Sequence, residues 1–386
     1  MKSLIEKRID ALEKHFEKNK LKSFDPYDGL NTPLRKLFFK IRLLERVWLQ
    51  FIRLLPFNIR SFVGIKKIIH LKTVSDLLSA SSILYSKTNN EKYLINADKY
   101  FSLLEKMDLK QNNCIGWGLR FYFTTRFVQA DENSANLFNT INVLNSLLDY
   151  YNINMQNNNE EKCARIKKLI NAGIDFIEKE LKYNETATTI IWNYWEGLKS
   201  PVYNVNALMV GFLSRYQKLF NISKFDKHII KTIEFLRQGQ NTDGSWNYSA
   251  DSKAEFVDGF HTGYILEGLS LAKINGITFK DEFFERGVKY FIENFFTKDS
   301  LPKYYNNSLY PIDGQNFAQI VQTLYYLNKL DLSDKKLTEK IFEKTDEVLW
   351  NEKGYYNYIK TKYSTYKTAM DRWVNSPMYL ALSHLY

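Results

Sequence analysis

The feature that most constrains this chain is a beat of aromatic knots. Trp192-Asn193-Tyr194, Trp246-Asn247-Tyr248, Tyr304-Tyr305-Asn306 and Tyr356-Asn357-Tyr358 succeed one another at intervals of 54, 58 and 52 residues, and Gly116-Trp117-Gly118 stands before them. A period of this length marks stacked supersecondary units, none of which buries its apolar face alone. After each knot comes a polar or glycine turn, then a run with helical apolar spacing and little charge, near 136–152, 203–218, 257–273, 313–329 and 371–386. Each of the first four is followed by a more charged, two-faced run, near 161–181, 226–238, 280–297 and 334–349. A helix that is apolar all round is buried, and a two-faced helix lies outside it.

One more pair precedes these, inner-type at 74–85 and outer-type at 92–107, making six inner runs and five outer ones. A helix within 33–55 is the expected sixth outer member. The expected fold is all-α, an (α/α)6 toroid over residues 73–386. Residues 1–72 form a basic amphipathic helical extension that packs on the toroid or completes it. No alternating strand pattern of useful length is present. In such a ring the knots join each outer helix to the next inner one, so they gather at one end around a shared bowl. Inner-helix N-termini with unpaired N–H groups point into it, which suits anionic or polyhydroxylated ligands.

Candidate residues follow from that geometry. Asp258 and Asp313 take equivalent places 55 residues apart, each before a glycine at the head of an inner run. They fit an acid–base pair acting on a glycosidic bond through water, and they fit N-caps equally well. His261 falls three residues after Asp258, and imidazole is the side chain suited to take a proton near neutral pH. Tyr264, one turn further on, is its candidate acid partner. Trp117, Trp192, Trp195, Trp246 and Tyr305 offer flat faces for sugar stacking, or else pack the loops. Arg126, and Arg372 with Trp373 at the head of the last inner run, are candidates for a carboxylate or phosphate. Asn204 and Asn139 line the bowl or cap helices. Asp243, in the turn Thr242-Asp243-Gly244, fits ordinary turn chemistry.

Absences narrow the classes. There is no Walker loop, HExxH, GxSxG, GxGxxG or Cys/His zinc cluster, so neither a metal nor any other cofactor is expected. Cys114 and Cys163 are 49 residues apart without a CxxC, which reads as free thiols in a reducing cytoplasm. The first twenty residues are charged throughout, and no run of 18 apolar residues occurs, so neither a signal peptide nor a membrane span is expected. Residues 35–72 hold ten Lys/Arg against one acid, a surplus of nine in a chain of net charge +11. Leucine, phenylalanine, isoleucine and Trp48 interleave with those charges. Such a stretch fits an inner-membrane surface or a packed helix with snorkelling cations. No nucleic-acid recognition module accompanies it.

Two resemblances attach to these residues. Phe235-Leu236 with Gln240, Gly244 and Trp246 resembles the structural staple of triterpene cyclases and related prenyl-processing toroids, although the acidic cyclase signature is missing. The pieces "FDPYDGLNTP" at 24–33, "NIRSFVGI" at 58–65, "GWG" at 116–118, "FVDGFHTGYILEGL" at 256–269, "YPIDGQNFAQ" at 310–319 and "DRWVNSPMYLALSHL" at 371–385 resemble the bacterial VpsJ-type polysaccharide-biosynthesis family. That likeness implies a cytoplasmic toroid linked to capsule or exopolysaccharide assembly. After Gly-Trp-Gly the family pattern runs through Asp, Trp and Gln to an Arg; here Arg126 matches the Arg, and Tyr122, Phe123 and Thr124 replace the rest. The "DPYDG" stretch reads as a lid over the bowl or as a plain turn.

The expected function is therefore acid–base chemistry on a glycan chain, with uronic-acid-containing and lipid-linked glycans among the candidates. Hydrolysis, lyase-type elimination and C5-epimerisation all stay open. A non-catalytic glycan-binding or scaffold protein of the assembly machinery is one alternative. A terpenoid or polyprenyl cyclase-like protein, whose cavity would be lined mainly by apolar rings, is the other.

Overall fold

The computed structural model describes residues 1–38, 41–111, 114–125, 128–198, 201–251 and 255–386. Its α-helices are α1 (Lys2–Lys18), the single turn α2 (Arg35–Phe38), α3 (Arg42–Leu54), α4 (Leu71–Thr88), α5 (Glu91–Leu104), α6 (Leu137–Gln156), α7 (Glu160–Phe176), α8 (Tyr203–Phe220), α9 (Asp226–Gln238), α10 (Gly259–Ile274), α11 (Asp281–Asn294), α12 (Gly314–Asn328), α13 (Lys335–Leu349) and α14 (Ser376–Leu385). Helices α4, α6, α8, α10, α12 and α14 touch in that order, and α14 touches α4, which closes an inner ring. Each outer helix packs on the inner helix before it: α5 on α4, α7 on α6, α9 on α8, α11 on α10 and α13 on α12. The chain is an (α/α)6 toroid.

The sixth outer position is filled differently from the expectation. Helix α1, not the 33–55 segment, lies along α14. The cause is a four-residue apolar stripe in α1. Ile5, Ile9, Leu12 and Phe16 recur at helical spacing and are all buried, each contributing about 1.5–3 kcal/mol. Phe16 meets the Tyr379 ring edge-on at 5.9 Å, Tyr379 donates to Glu13 at 2.8 Å, and Arg8 grips Asp346 of α13 at 2.9 and 2.7 Å. The start of the chain thus closes the ring beside its end.

Inner helices approach closely where glycine allows it. A Cβ on Gly268 of α10 would sit 2.0 Å from the Ala207 carbonyl oxygen of α8, and one on Gly211 would sit 3.1 Å from the Gly268 Cα. The knots carry short antiparallel ladders that are too brief to leave an alternating signature, such as Tyr183–Glu185 with Ile190–Trp192 and Trp350–Asn351 with Tyr355–Tyr356. A recurring bond ties three of the knots to the head of the next inner helix. The Trp192 N–H donates to Asn206 Oδ1 at 2.8 Å, the Tyr356 N–H to Asn375 Oδ1 at 2.9 Å, and the Trp117 N–H to Thr140 Oγ1 at 3.2 Å. The cyclase-like staple is structural, as its composition suggests. Gln240 Nε2 donates to the Gly244 and Phe283 carbonyls at 3.1 and 2.7 Å, and Trp246 Nε1 donates to Leu236 O at 2.8 Å.

Candidate active site

The knots and inner-helix N-termini enclose a cavity of about 890 Å³. Of the residues singled out from the sequence, His261, Tyr264, Trp195, Asn139, Asn204, Tyr305, Arg372 and Trp373 all line it. Four do not. Trp117, Trp192 and Trp246 are almost wholly buried. They act as wedges between inner and outer helices, so their rings offer no face to a sugar. Trp192 Nε1 donates to Thr232 of α9 at 3.1 Å, and Gly287 of α11 leaves room for the Trp246 ring. Asp243 sits in an exposed turn and accepts from the Ser245 N–H and Oγ at 2.9 and 2.7 Å. Arg126 lies outside the described residues.

The two carboxylates do not face each other across a substrate. Each is an N-cap, as the alternative reading had it. Asp258 is buried; its Oδ1 accepts the His261 N–H at 2.8 Å, and its Oδ2 lies 2.6 Å from His261 Nδ1. A carboxylate only accepts, so Nδ1 carries the proton in that contact and the lone pair falls on Nε2. Asp258 therefore orients the imidazole, and His261, its side chain 19% exposed, faces the cavity. Tyr248 packs edge-on to the imidazole at 4.7 Å and Phe260 lies at 3.9 Å.

Asp313 caps α12, accepting from the Gln315 and Asn316 N–H groups at 2.8 and 3.1 Å. Its Oδ2 accepts from Trp373 Nε1 at 3.3 Å. Burial pushes its carboxyl up to about 6. It sits behind the wall and holds the Trp373 ring. Tyr264 lines the cavity one turn beyond His261, and its oxygen accepts from Gln315 Nε2 at 2.9 Å. Burial raises its phenol well above the ordinary value, so at neutral pH it is a donor.

The "DPYDG" stretch is a strut with one residue in the cavity. Arg372 clasps Asp25 through both Nε and Nη2, the latter at 2.8 Å from Oδ1. Burial disfavours the Asp25 carboxylate, but Arg372 outweighs it and holds the pKa below the ordinary value. Arg60 grips Asp28 at 2.7 Å. Tyr27 lines the cavity, edge-on to Trp373 at 5.3 Å. Arg372 thus spends two of its donors inside the protein.

Several lining residues escaped sequence reasoning. Tyr194 and Tyr248 line the cavity, as does Tyr304, while Tyr358 lies behind it in reach of Arg53. Their signal was present: in three knots the pattern is aromatic–Asn–Tyr, where the first ring is a core wedge and the second reaches the bowl in two, Tyr194 and Tyr248. Arg46, Gln50 and Arg53 come from α3, which forms part of the cavity wall.

No protein-family model and no curated protein sequence matches the chain. The fold and the site together define an α/α toroid with a polar, aromatic-walled central cavity. Solved structures share this fold. Cellobiose 2-epimerase from Bacillus thermoamylovorans superposes with a TM-score of 0.62 at 12% identity, over 82% of this chain and 86% of that one. A family 76 glycoside hydrolase from a bovine Bacteroides thetaiotaomicron strain gives 0.60 at 13% identity, over 82% and 68%. A polysaccharide lyase gives 0.55 at 13% identity, over 81% and 89%. At these identities the likeness establishes the fold.

Proposed function

We propose that this protein is a carbohydrate-active enzyme that moves a proton at a sugar ring carbon of a glycan, in the manner of an epimerase or a lyase. One observation carries the reading: Asp258 fixes His261 Nδ1, leaving Nε2 as an unencumbered base in a cavity lined by Trp195, Trp373 and tyrosines. Tyr264 supplies the opposing proton, and an imidazole–phenol pair so placed is worth about 10²–10⁴ in rate. Asn139 and Asn204 are buried, line the cavity, and have no partner for Oδ1 among the described residues. Both oxygens are closed off from water as the side chains stand, so each accepts a sugar hydroxyl only after its amide turns; left unpaired, such an acceptor costs about 1–3 kcal/mol.

Hydrolysis fits less well. It calls for two carboxylates flanking the bond, and Asp258 and Asp313 are both engaged as caps. A terpenoid role fits poorly too, because Arg46, Arg53, Arg372 and the two asparagines break the apolar sheath it needs.

The fuller form of this reading places the enzyme in capsule or exopolysaccharide assembly, on a lipid-linked glycan at the cytoplasmic face of the inner membrane. Its support is the sequence resemblance and the outward face of α3. There Leu44, Val47, Phe51 and Leu54 are 46%, 59%, 49% and 62% exposed, in a region with a surplus of nine positive charges. Among the described residues no helix is long and apolar enough to cross a membrane, so the contact would be interfacial.

A panel of acidic and neutral oligosaccharides tests the reaction type. New unsaturated ends mark a lyase, an altered ring configuration without cleavage marks an epimerase, and new reducing ends alone would overturn the proton-transfer reading in favour of hydrolysis. Binding without any product would leave a glycan-binding scaffold.

A further inference from the structure

Helix α3 has three faces, and one of them has no assigned role. Trp48, Leu49 and Ile52 turn onto the 25–30 segment, with Trp48 Nε1 donating to Gly29 O at 2.8 Å. Leu44, Phe51 and Leu54 lie outward, and Val47 sits where that face meets the cavity rim. Leu43, Arg46, Gln50 and Arg53, again at helical spacing, face the cavity.

The other cationic side chains of the cavity are already matched. Lys72 holds Asp76 at 2.8 Å, and Arg372 holds Asp25. Arg53 donates to the Tyr358 oxygen at 3.5 Å and to Gln50 Oε1 at 3.4 Å, and lies 5.1 Å from the Tyr27 ring centroid. Among the described residues, neither Arg46 nor Arg53 has a carboxylate within ion-pair reach. The acid of α3, Glu45, is buried on the opposite face and held by Arg35 and Gln129 at 3.8 and 3.1 Å. Two guanidiniums without an ion-pair contact in a concave wall focus a positive field on the space between the walls, offset in part at Arg53 by the buried Asp313. Elsewhere the lining holds Asn139 and Asn204 and the carboxylate of Asp251, which repels an anion. The cavity is thus polarised.

We propose that Arg46 and Arg53 form an oxyanion subsite that seats an acidic group borne by the glycan, either the carboxylate of a sugar acid or a phosphate ester on a sugar. This rests on the glycan reading above. Guanidinium suits both groups because its forked donors match two oxygens at once. The neutral hydroxyls of the same ligand fall to Asn139 and Asn204, so the subsite sets orientation as well as affinity.

The test is calorimetric titration of the His261→Ala protein, which binds without turning over. The probes are a uronic-acid trisaccharide, its neutral counterpart, and a glycosyl phosphate, at low and high salt. We expect at least one acidic probe to bind tenfold or more tighter than the neutral one, with the gap shrinking in salt. Arg46→Gln and Arg53→Gln should each weaken that acidic probe by about ten- to a hundredfold and leave the neutral one unchanged. Arg46→Lys should recover part of the loss. Which acidic probe leads tells carboxylate from phosphate. Equal binding of neutral and acidic probes, or variants that weaken both alike, overturns the subsite while the glycan reading stands. Failure of all three to bind removes both.

Discussion

At the level of single residues, the site turns on two aspartates that share a position and differ in what lies opposite. Asp258 caps α10 and grips an imidazole; Asp313 caps α12 and grips an indole. Asp258→Asn keeps a capping oxygen but presents an amide N–H to His261 Nδ1, which forces the other tautomer. Turnover should fall about 10²-fold or more with thermal stability nearly unchanged; a loss of stability with normal turnover per folded molecule would make the aspartate a cap alone. Asp313 has a different signature. Its folded carboxyl titrates near 6 against an ordinary 3.8, so between those values the folded chain binds more protons and stability falls as pH rises. Relative to Asp313→Asn, the wild type should lose up to about 3 kcal/mol between pH 4 and 7, read from urea unfolding at several pH values. A flat difference would contradict this. The sequence offered both a cap and a catalytic carboxylate at each position, because the two call for the same residue at the same place. Only the partner of the second oxygen separates them.

Among the elements, the ring is held where helices touch most closely and where its two ends meet. Gly268→Ala drives a Cβ into the Ala207 carbonyl and should cost about 1–3 kcal/mol in chemical denaturation; an unchanged midpoint would mean that the helices part freely. Removing residues 1–18 strips the apolar face of α14 and should abolish cooperative melting. A truncated chain that melts like the full one would show that α1 is an accessory. The inner helices were readable because burial on every face leaves a long, weakly charged run. The role of α1 was missed because its stripe of Ile5, Ile9, Leu12 and Phe16 is diluted by charges at the intervening positions, and nothing local tells an outer helix which inner helix it will meet. Likewise the aromatic knots announced the repeat, but not that Trp192 would wedge the core while Tyr194 turned to the cavity.

For the whole molecule, the toroid brings six separated junctions to one rim and lays α3 beside it, one side apolar and exposed, the other cationic and facing the cavity. Neutralising the lysines flanking α3 and replacing Phe51 and Leu54 by serine should release the protein from anionic liposomes in a co-sedimentation assay without altering its melting; retention would place the apolar stripe against something other than lipid. The fold followed from periodicity, since every repeat restates it. The chemistry did not, since it depends on one histidine in one repeat. Solvent isotope exchange addresses that histidine most directly. The protein is incubated with acidic oligosaccharides in deuterated water, and label is sought on ring carbon by mass spectrometry and NMR. We expect carbon-bound deuterium, or its elimination counterpart in unsaturated product, with wild-type protein and none with a folded His261→Ala variant. Label that persists undiminished in the variant, or turnover with neither label on ring carbon nor unsaturated ends, would contradict the assignment of His261 as the base.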